Sequence, residues 1–138
     1  MTLIVVDASF AGLIVLPDET TPELALELGS RLAERENLVP MHWHLETANL
    51  LLTAQRRKRI STFADALEIL RSWRIVVDDG ADYAWTTTPA LAQKHGLTAY
   101  DAAYLELAIR RGAMLASVDA ALIRAARKAG VDVLTAPE

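Results

Sequence analysis

Four carboxylates stand where this sequence is otherwise apolar, at Asp7, Glu46, Asp101 and Asp119. Asp7 and Asp119 each end a short apolar run. Glu46 interrupts an apolar helical segment, and Asp101 opens another. An unpaired carboxylate beside apolar surface is costly to keep ionised, so its pKa rises. If the fold brings the four together, a divalent cation bound to their oxygens would offset the shared negative charge. The pattern therefore predicts a metal-dependent enzyme.

Short β-rich runs alternate along the chain with segments of helical periodicity. The runs predicted as strands are Leu3–Asp7, Asn37–Met41, Arg74–Asp78, Ala113–Val118 and Val131–Leu134. The segments predicted as helices are about Ser9–Leu16, Pro22–Glu36, His42–Arg57, Ser61–Trp73, Asp82–His95, Ala99–Arg111 and Ala120–Ala129. This alternation is typical of a three-layer α/β/α fold, in which helices cover both faces of a central parallel sheet.

The strand order determines where the acids meet. Right-handed crossovers limit the orders open to a parallel sheet, and we predict the order 3-2-1-4-5. Ligands of such sheets bind at the carboxyl ends of the strands, where the order reverses. Asp7 and Asp119 follow the first and fourth strands, which are neighbours in this order. Glu46 comes soon after the second strand, and Asp101 lies in the first turn of the helix before the fourth. We therefore expect all four acids in one cleft.

Helix capping is the simpler explanation of each aspartate taken alone. Asp is a favoured N-cap residue, and Asp7 and Asp119 both precede predicted helices. Thr98 and Asp101 have the spacing of a capping box, although Glu or Gln is usual at the second position. Glu46 gains only a modest helix-dipole interaction in its first turns. A non-catalytic binding domain, with the acids as caps, is therefore the main rival to an enzyme.

Composition limits the classes of protein to consider. A chain of 138 residues is close to the size of one domain, so residues 1–138 are expected to form a single domain. No apolar stretch is long enough to span a membrane, and the amino terminus lacks a signal-peptide pattern, so we expect a cytoplasmic protein. The absence of cysteine excludes disulfides and thiolate metal sites. A net charge of −4 argues against a protein that coats nucleic acid non-specifically, so any such contact must be local.

One basic run stands out against this acidic balance. It consists of the consecutive residues Arg56, Arg57, Lys58 and Arg59. Cations at a helix carboxyl end complement the dipole, which makes a solvated helix end one explanation. The alternative is a track of phosphate contacts that leads a nucleic acid to the acidic cleft.

The acids lie in four short motifs that follow one another along nearly the whole chain. The motifs are Val6-Asp7-Ala8-Ser9, Glu46-x-x-Asn49, Leu97-Thr98-x-x-Asp101-Ala102 and Ser117-x-Asp119. Each is weak alone, but their order and coverage together are specific. With them the chain resembles the PIN-domain ribonucleases, and most closely the VapC-type toxins of toxin–antitoxin modules.

The resemblance implies hydrolysis of RNA phosphodiester bonds that depends on Mg²⁺ or Mn²⁺. It implies that Asp7, Glu46 and Asp101 bind the metal and that Asp119 supports it. Three further side chains are implied to orient the carboxylates, water or substrate: Ser9, Asn49 and Ser117. The implied partners are the RNA substrate, a cognate antitoxin protein and a second copy of the chain in a homodimer.

Phosphoryl-transfer proteins of the receiver and haloacid-dehalogenase kinds also place an Asp after their first strand. The Asp-x-Asp sequence of those phosphatases is absent, because Ser9 stands two residues after Asp7. No catalytic lysine follows the last predicted strand, and the six glycines form no phosphate-binding loop. A phosphoryl-transfer domain is therefore a weaker alternative than a nuclease.

Overall fold

The computed structural model describes residues 3–136, in which strands and helices alternate. The strands are β1 Ile4–Val6, β2 Glu36–Val39, β3 Arg74–Val77, β4 Met114–Ala116 and β5 Val133–Leu134. The helices are α1 Ala8–Val15, α2 Pro22–Ala33, α3 Trp43–Arg56, α4 Phe63–Arg71, α5 Thr87–His95, α6 Ala99–Arg111 and α7 Ala120–Lys128. A short 3-10 helix, Ala81–Tyr83, precedes α5.

The five strands form one parallel sheet in the order β3-β2-β1-β4-β5, which confirms the predicted topology. Ile4 of β1 pairs with Asn37 of β2 on one side and with Met114 of β4 on the other. Helices cover both faces, and β1 is buried throughout, as expected for a central parallel strand. Because the strands are parallel, the residues that follow β1 and β4 emerge side by side at one edge.

Local sequence explains where several helices begin. The side chains of Thr21, Thr62 and Thr98 each accept a hydrogen bond from the backbone N–H three residues later. Such N-caps contribute about 1 kcal/mol each to helix stability. α6 ends at Gly112, which adopts φ +60° and so provides the left-handed residue that commonly stops a helix. Capping therefore fixes both ends of the helix that carries Asp101.

The single helix predicted over Asp82–His95 is wrong. The structure has the 3-10 turn Ala81–Tyr83 followed by a separate helix, Thr87–His95. Pro89 explains the break. In one continuous helix its ring would clash with the carbonyl of Trp85 and its missing N–H would leave that carbonyl unpaired. In the first turn of α5 the same proline is tolerated.

The core lies on both sides of β1 and β2, and α1 and α6 both contribute buried residues to it. Tyr104, Leu105 and Leu107 of α6 are almost completely buried, as are Phe10 of α1 and Leu38 of β2. Within residues 3–136, no helix is long and apolar enough to cross a bilayer. Anchoring of α6 in the core holds its first turn, with Asp101, against the carboxyl edge of the sheet.

Candidate active site

Asp7 lies at the carboxyl end of β1 with only 5% of its surface exposed. Its backbone N–H donates to the Ala116 carbonyl at 2.9 Å, which extends the β1–β4 ladder. Its Oδ2 accepts hydrogen bonds from the hydroxyls of Ser9 at 2.6 Å and Ser117 at 2.8 Å. Asp7 occupies the N-cap position of α1, yet its side chain makes no capping hydrogen bond. Capping therefore does not explain this carboxylate, which two serines orient instead.

These two serines also join the ends of β1 and β4. While donating to Asp7, the Ser117 hydroxyl accepts from the Asp119 N–H at 3.0 Å. The Ser9 hydroxyl accepts from the Val118 N–H at 3.3 Å. Each hydroxyl thus donates to the Asp7 carboxylate and accepts from a backbone N–H of the segment that follows β4. Ser9 and Ser117 were expected to orient carboxylates, and both donate hydrogen bonds to Asp7. Any part that they take in a reaction stays a prediction.

Burial raises the pKa of the Asp7 carboxyl group above its ordinary value. The hydrogen bonds from Ser9 and Ser117 oppose the shift, because they stabilise the ionised form. The negative charges of Asp101 and Glu46 add to the rise in the pKa. Asp7 is therefore a carboxylate that gains from a nearby positive charge, and two of the other acids are close enough to affect it.

Glu46 lies in the first turn of α3 and is half-buried. Its Oε1 accepts a hydrogen bond of 2.5 Å from the Tyr104 hydroxyl of α6. His42, one helical turn earlier, places Nε2 3.2 Å from the same oxygen. Burial alone would raise the pKa of Glu46, but the hydrogen bonds from His42 and Tyr104 hold it below its usual range. Glu46 therefore stays ionised in the cleft.

His42 and Tyr104 are the two residues whose contacts with Glu46 the sequence analysis missed. His42 Nε2 also lies 3.1 Å from the Tyr100 carbonyl oxygen. The hydrogen bond to Glu46 raises the pKa of His42. His42 could have been found, because it precedes Glu46 by four residues on one helix face. Tyr104 follows Asp101 by three residues on α6, but nothing in the sequence links it to Glu46.

Asp101 and Asp119 open α6 and α7. Burial raises the pKa of Asp101, and the charges of Asp119 and Glu46 add to the rise, while its hydrogen bond with Thr98 opposes it. The Asp119 side chain accepts from the Leu122 N–H at 2.9 Å and so caps α7. The capping role weighed for Asp119 is thus real. Its charge nevertheless acts on Asp101, so it lies in the same electrostatic environment.

The carboxyl edge of the sheet thus collects the predicted acids, each of which already has protein hydrogen-bond partners. Within residues 3–136, no three His, Cys, Asp or Glu side chains converge on one point suited to an ion. The donor set itself is all carboxylate oxygen and hydroxyl, which matches the preference of hard divalent cations and not that of soft metals. The chemistry of these residues therefore fits Mg²⁺ or Mn²⁺.

The structure places Asn49 on α3 with an exposed side chain. The contacts that hold Glu46 come from His42 and Tyr104 rather than from Asn49. The orientation of Glu46 by Asn49 is therefore not observed. An exposed amide on the helix that carries Glu46 remains compatible with the other expected role, contact with substrate.

The basic run Arg56–Arg59 lies at the carboxyl end of α3, about 15 Å along the helix axis from Glu46. Arg59 makes ion pairs with Asp18 at 2.7 Å and with Glu19 at 2.6 Å. These ion pairs attach the Arg59 side chain to the loop that follows α1. The run begins at the opposite edge of the sheet from the acids, so a phosphate track would have to follow the length of α3.

Comparison with known proteins identifies the family. The model of the PIN domain family matches residues 4–128, which include all four acids. The chain belongs to the PIN domain family. PIN domains form a nuclease-type superfamily and typically use divalent metal ions. A sequence search of curated proteins finds no significant match.

Solved structures share this PIN fold over almost the full chain. PAE2754 from Pyrobaculum aerophilum superimposes with a TM-score of 0.67 at 20% identity, covering 96% of this chain and 89% of that chain. FitAcB from Neisseria gonorrhoeae gives 0.66 at 20% identity, covering 95% and 96%. A PilT N-terminus domain protein from Sulfolobus solfataricus gives 0.54 at 14% identity, covering 96% and 86%. At these identities the likeness establishes the three-layer fold.

Proposed function

We propose that this PIN domain is a metal-dependent endoribonuclease and the toxin of a type II toxin–antitoxin pair, acting in the cytoplasm as a single domain of residues 1–138. The observation that carries the proposal is the environment of Asp7. It is a buried carboxylate that two serines orient, and the charges of Glu46 and Asp101 raise its pKa. Without a cation nearby, a neutral side chain at this position would cost less free energy of folding than a buried carboxylate does.

Asp7, Glu46 and Asp101 would hold Mg²⁺ or Mn²⁺, with Asp119 in support. When bound, the ion supplies positive charge to the phosphate and lowers the pKa of a coordinated water. The protein itself does the positioning. Ser9 and Ser117 restrict the Asp7 carboxylate to one orientation.

Helix termini add a second contribution at the same edge. The first turns of α1, α3, α6 and α7 all lie at the carboxyl ends of the strands. Their free N–H groups and dipoles favour negative charge, so they stabilise both the carboxylates and an incoming phosphate. Tyr104 holds Glu46 from the buried side of α6 and so fixes the distance between α3 and α6 across the cleft.

The proposed partners are RNA, a cognate antitoxin and a second copy of the chain. The motifs in the sequence support the antitoxin, since they most resemble those of VapC-type toxins. A net charge of −4 suits a basic partner. Leu26 and Leu45 are about three-quarters exposed, which leaves apolar surface on α2 and α3 for such protein contacts.

The test is cleavage of total cellular RNA by the purified protein, with Mn²⁺ or with chelator, followed by mapping of the new RNA ends. Metal-dependent ends are expected for the wild type and should be lost in Asp7→Asn and Asp101→Asn. Asp132→Asn is the matched control, because Asp132 is exposed and precedes β5 at the opposite edge of the sheet. Full activity in both site variants would reject the proposed site.

A non-catalytic binding module is the second candidate, and the capping bond of Asp119 favours it. Calorimetric titration with Mn²⁺ separates the two functions. Saturable binding that is lost in Asp7→Asn supports the enzyme, whereas no binding to the wild type supports the binding module.

A further inference from the structure

A cavity of about 220 Å³ adjoins the acidic cleft. The start of α3, the loop after β3, α5 and α6 enclose it. We call it the side cavity. His42 and Tyr100 belong to its wall, and their rings are 5.7 Å apart. His42 Nε2 lies 3.2 Å from Glu46 Oε1, which connects the wall to the acids. A ligand bound at the acids would therefore find this cavity next to it.

The charged groups in the side cavity bind one another. Arg110 donates to Asp78 at 2.9 and 3.0 Å and to Glu106 at 2.7 and 3.1 Å. Its guanidinium is thereby neutralised by two carboxylates, so it offers little attraction to a phosphate. Asp79 adds a further carboxylate, of which Oδ1 accepts from the Ala81 N–H at 2.9 Å. The cavity thus presents acceptors for N–H donors and repels anions.

Thr88 provides a polar group without a protein partner in this wall. It is only 6% exposed, yet its hydroxyl makes no side-chain hydrogen bond within residues 3–136. Within the described residues, Asn37 Oδ1 and Trp43 Nε1 are the fully buried side-chain atoms without a partner, so the Thr88 oxygen is open to solvent and can bind a ligand in the cavity. The rest of the wall includes apolar groups such as Ala84, Ala103 and Leu107. This combination suits a flat apolar ligand with a few polar atoms at its edge.

Exposed aromatic side chains stand near the entrance. Tyr100 is 68% exposed and Trp85, which follows Ala84 of the cavity wall, is 95% exposed. Proteins that bind single-stranded nucleic acid use such rings as stacking platforms for bases.

We propose that the side cavity receives one unstacked nucleobase of the RNA, next to the phosphate held at the acids. The assignment rests on the proposed nuclease function. Its volume is below the range of about 300–1,000 Å³ that holds drug-sized ligands, which suits a single base. The base lies against the apolar wall, its N–H donors face Asp79 and Thr88, and Tyr100 or Trp85 stacks on the adjoining base.

Two variants test the cavity, with one control. Ala103→Leu fills it, and Thr88→Val removes the unpartnered hydroxyl while keeping the side-chain shape. Ala90→Leu is the matched control, since it adds the same bulk to an exposed position of α5 outside the cavity. Circular dichroism and thermal melting check that all three proteins fold.

Binding is measured without cleavage, in EDTA. Saturation-transfer NMR reports contact with the free nucleosides adenosine, guanosine, cytidine and uridine. Fluorescence anisotropy reports the Kd for a short labelled single-stranded RNA. Wild type and Ala90→Leu should show saturation of base protons. Ala103→Leu and Thr88→Val should lose it, and Ala103→Leu should weaken RNA binding on the order of tenfold.

Nucleoside and RNA binding unchanged in both cavity variants would overturn the assignment, as would displacement of the nucleoside by inorganic phosphate. No nucleoside binding to the wild type would overturn it as well. Cleavage assays with Mn²⁺ test the nuclease function independently of nucleoside binding. Nucleoside binding without any metal-dependent cleavage would reject the nuclease and leave the base site standing.

Discussion

The hydroxyl of Tyr104 donates a 2.5 Å hydrogen bond to Oε1 of Glu46, which lies 58 residues earlier in the chain. The bond joins α3 to α6 across the cleft and makes a core residue part of the candidate site. Tyr104 is fully buried, so the bond to Glu46 pairs a hydroxyl donor that would be costly to leave unpaired in an apolar setting.

Tyr104→Phe tests this bond. The ring keeps its packing while Glu46 loses a donor, so we expect the free energy of unfolding to fall by about 1 kcal/mol, because half-exposed Glu46 can still be hydrated. Urea denaturation measures the fall. Mn²⁺ affinity should also drop, since Glu46 is no longer fixed. Unchanged stability and unchanged metal affinity together would show that the bond has no role.

Asp7→Asn should make the protein without metal more stable at neutral pH. The pKa of Asp7 is raised in the folded state, so folding favours the protonated form. That contribution is fully present below the ordinary Asp pKa and is lost as the pH rises through the raised value. Asn resembles the protonated form, so its advantage should grow as the pH increases. Melting temperatures in EDTA from about pH 4 to about pH 8 measure this.

The same pH series with Asp132→Asn provides the control for Asp7→Asn, because Asp132 is exposed. A variant at Asp7 that is less stable than the wild type throughout would contradict the prediction. It would mean that the bonds from Ser9 and Ser117 outweigh the cost of burial.

Ser117→Ala should destabilise the protein by about 1–3 kcal/mol, because a buried carboxylate loses a donor and the Asp119 N–H loses its acceptor. Chemical denaturation measures the loss. Ser72→Ala is the control. Its hydroxyl donates a 2.6 Å bond to the Ile69 carbonyl but is exposed, so a change within about 0.5 kcal/mol is expected. Equal effects of the two substitutions would argue against a special role for Ser117.

Arg110→Met should cost about 3 kcal/mol or more, because it leaves the buried Glu106 carboxylate without its cation. Arg31→Met is the matched control. Its pair with Glu27 has an N–O distance of 3.8 Å and both side chains are more than half exposed, so a loss below about 1 kcal/mol is expected. Thermal or urea unfolding compares the two. A small effect at Arg110 would indicate that water or another cation replaces it.

The basic run can be tested without disturbing its ion pairs. Replacing Arg56, Arg57 and Lys58 with Gln leaves Arg59 on its two acids. If RNA phosphates reach this end of α3, the slope of log K against log salt should fall by about 0.7 per lost contact. The control replaces the three exposed cations of α7, Arg124, Arg127 and Lys128. An unchanged slope in the first variant would exclude the phosphate track.

Most of the fold follows from local patterns. Apolar runs of strand length, each followed by a polar residue and a helix, predict the sheet, and chain direction predicts which acids share an edge. Pro89 also carried information, since its position in the predicted helix should have indicated a break.

Other features depend on contacts between distant elements. The bond from Tyr104 to Glu46 arises because the fold brings the first turn of α3 close to α6, and no sequence spacing encodes that approach. The role of Asp119 is similar. The sequence allows both a cap and a metal-binding group, and only the geometry reveals the bond to the Leu122 N–H.

One hydrogen bond sets a limit on when this protein can act. Ser117 donates to Asp7 from 110 positions further along the chain. During translation, the amino-terminal half emerges long before β4 and its serine. A nascent chain that stops before that serine cannot orient Asp7 in this way.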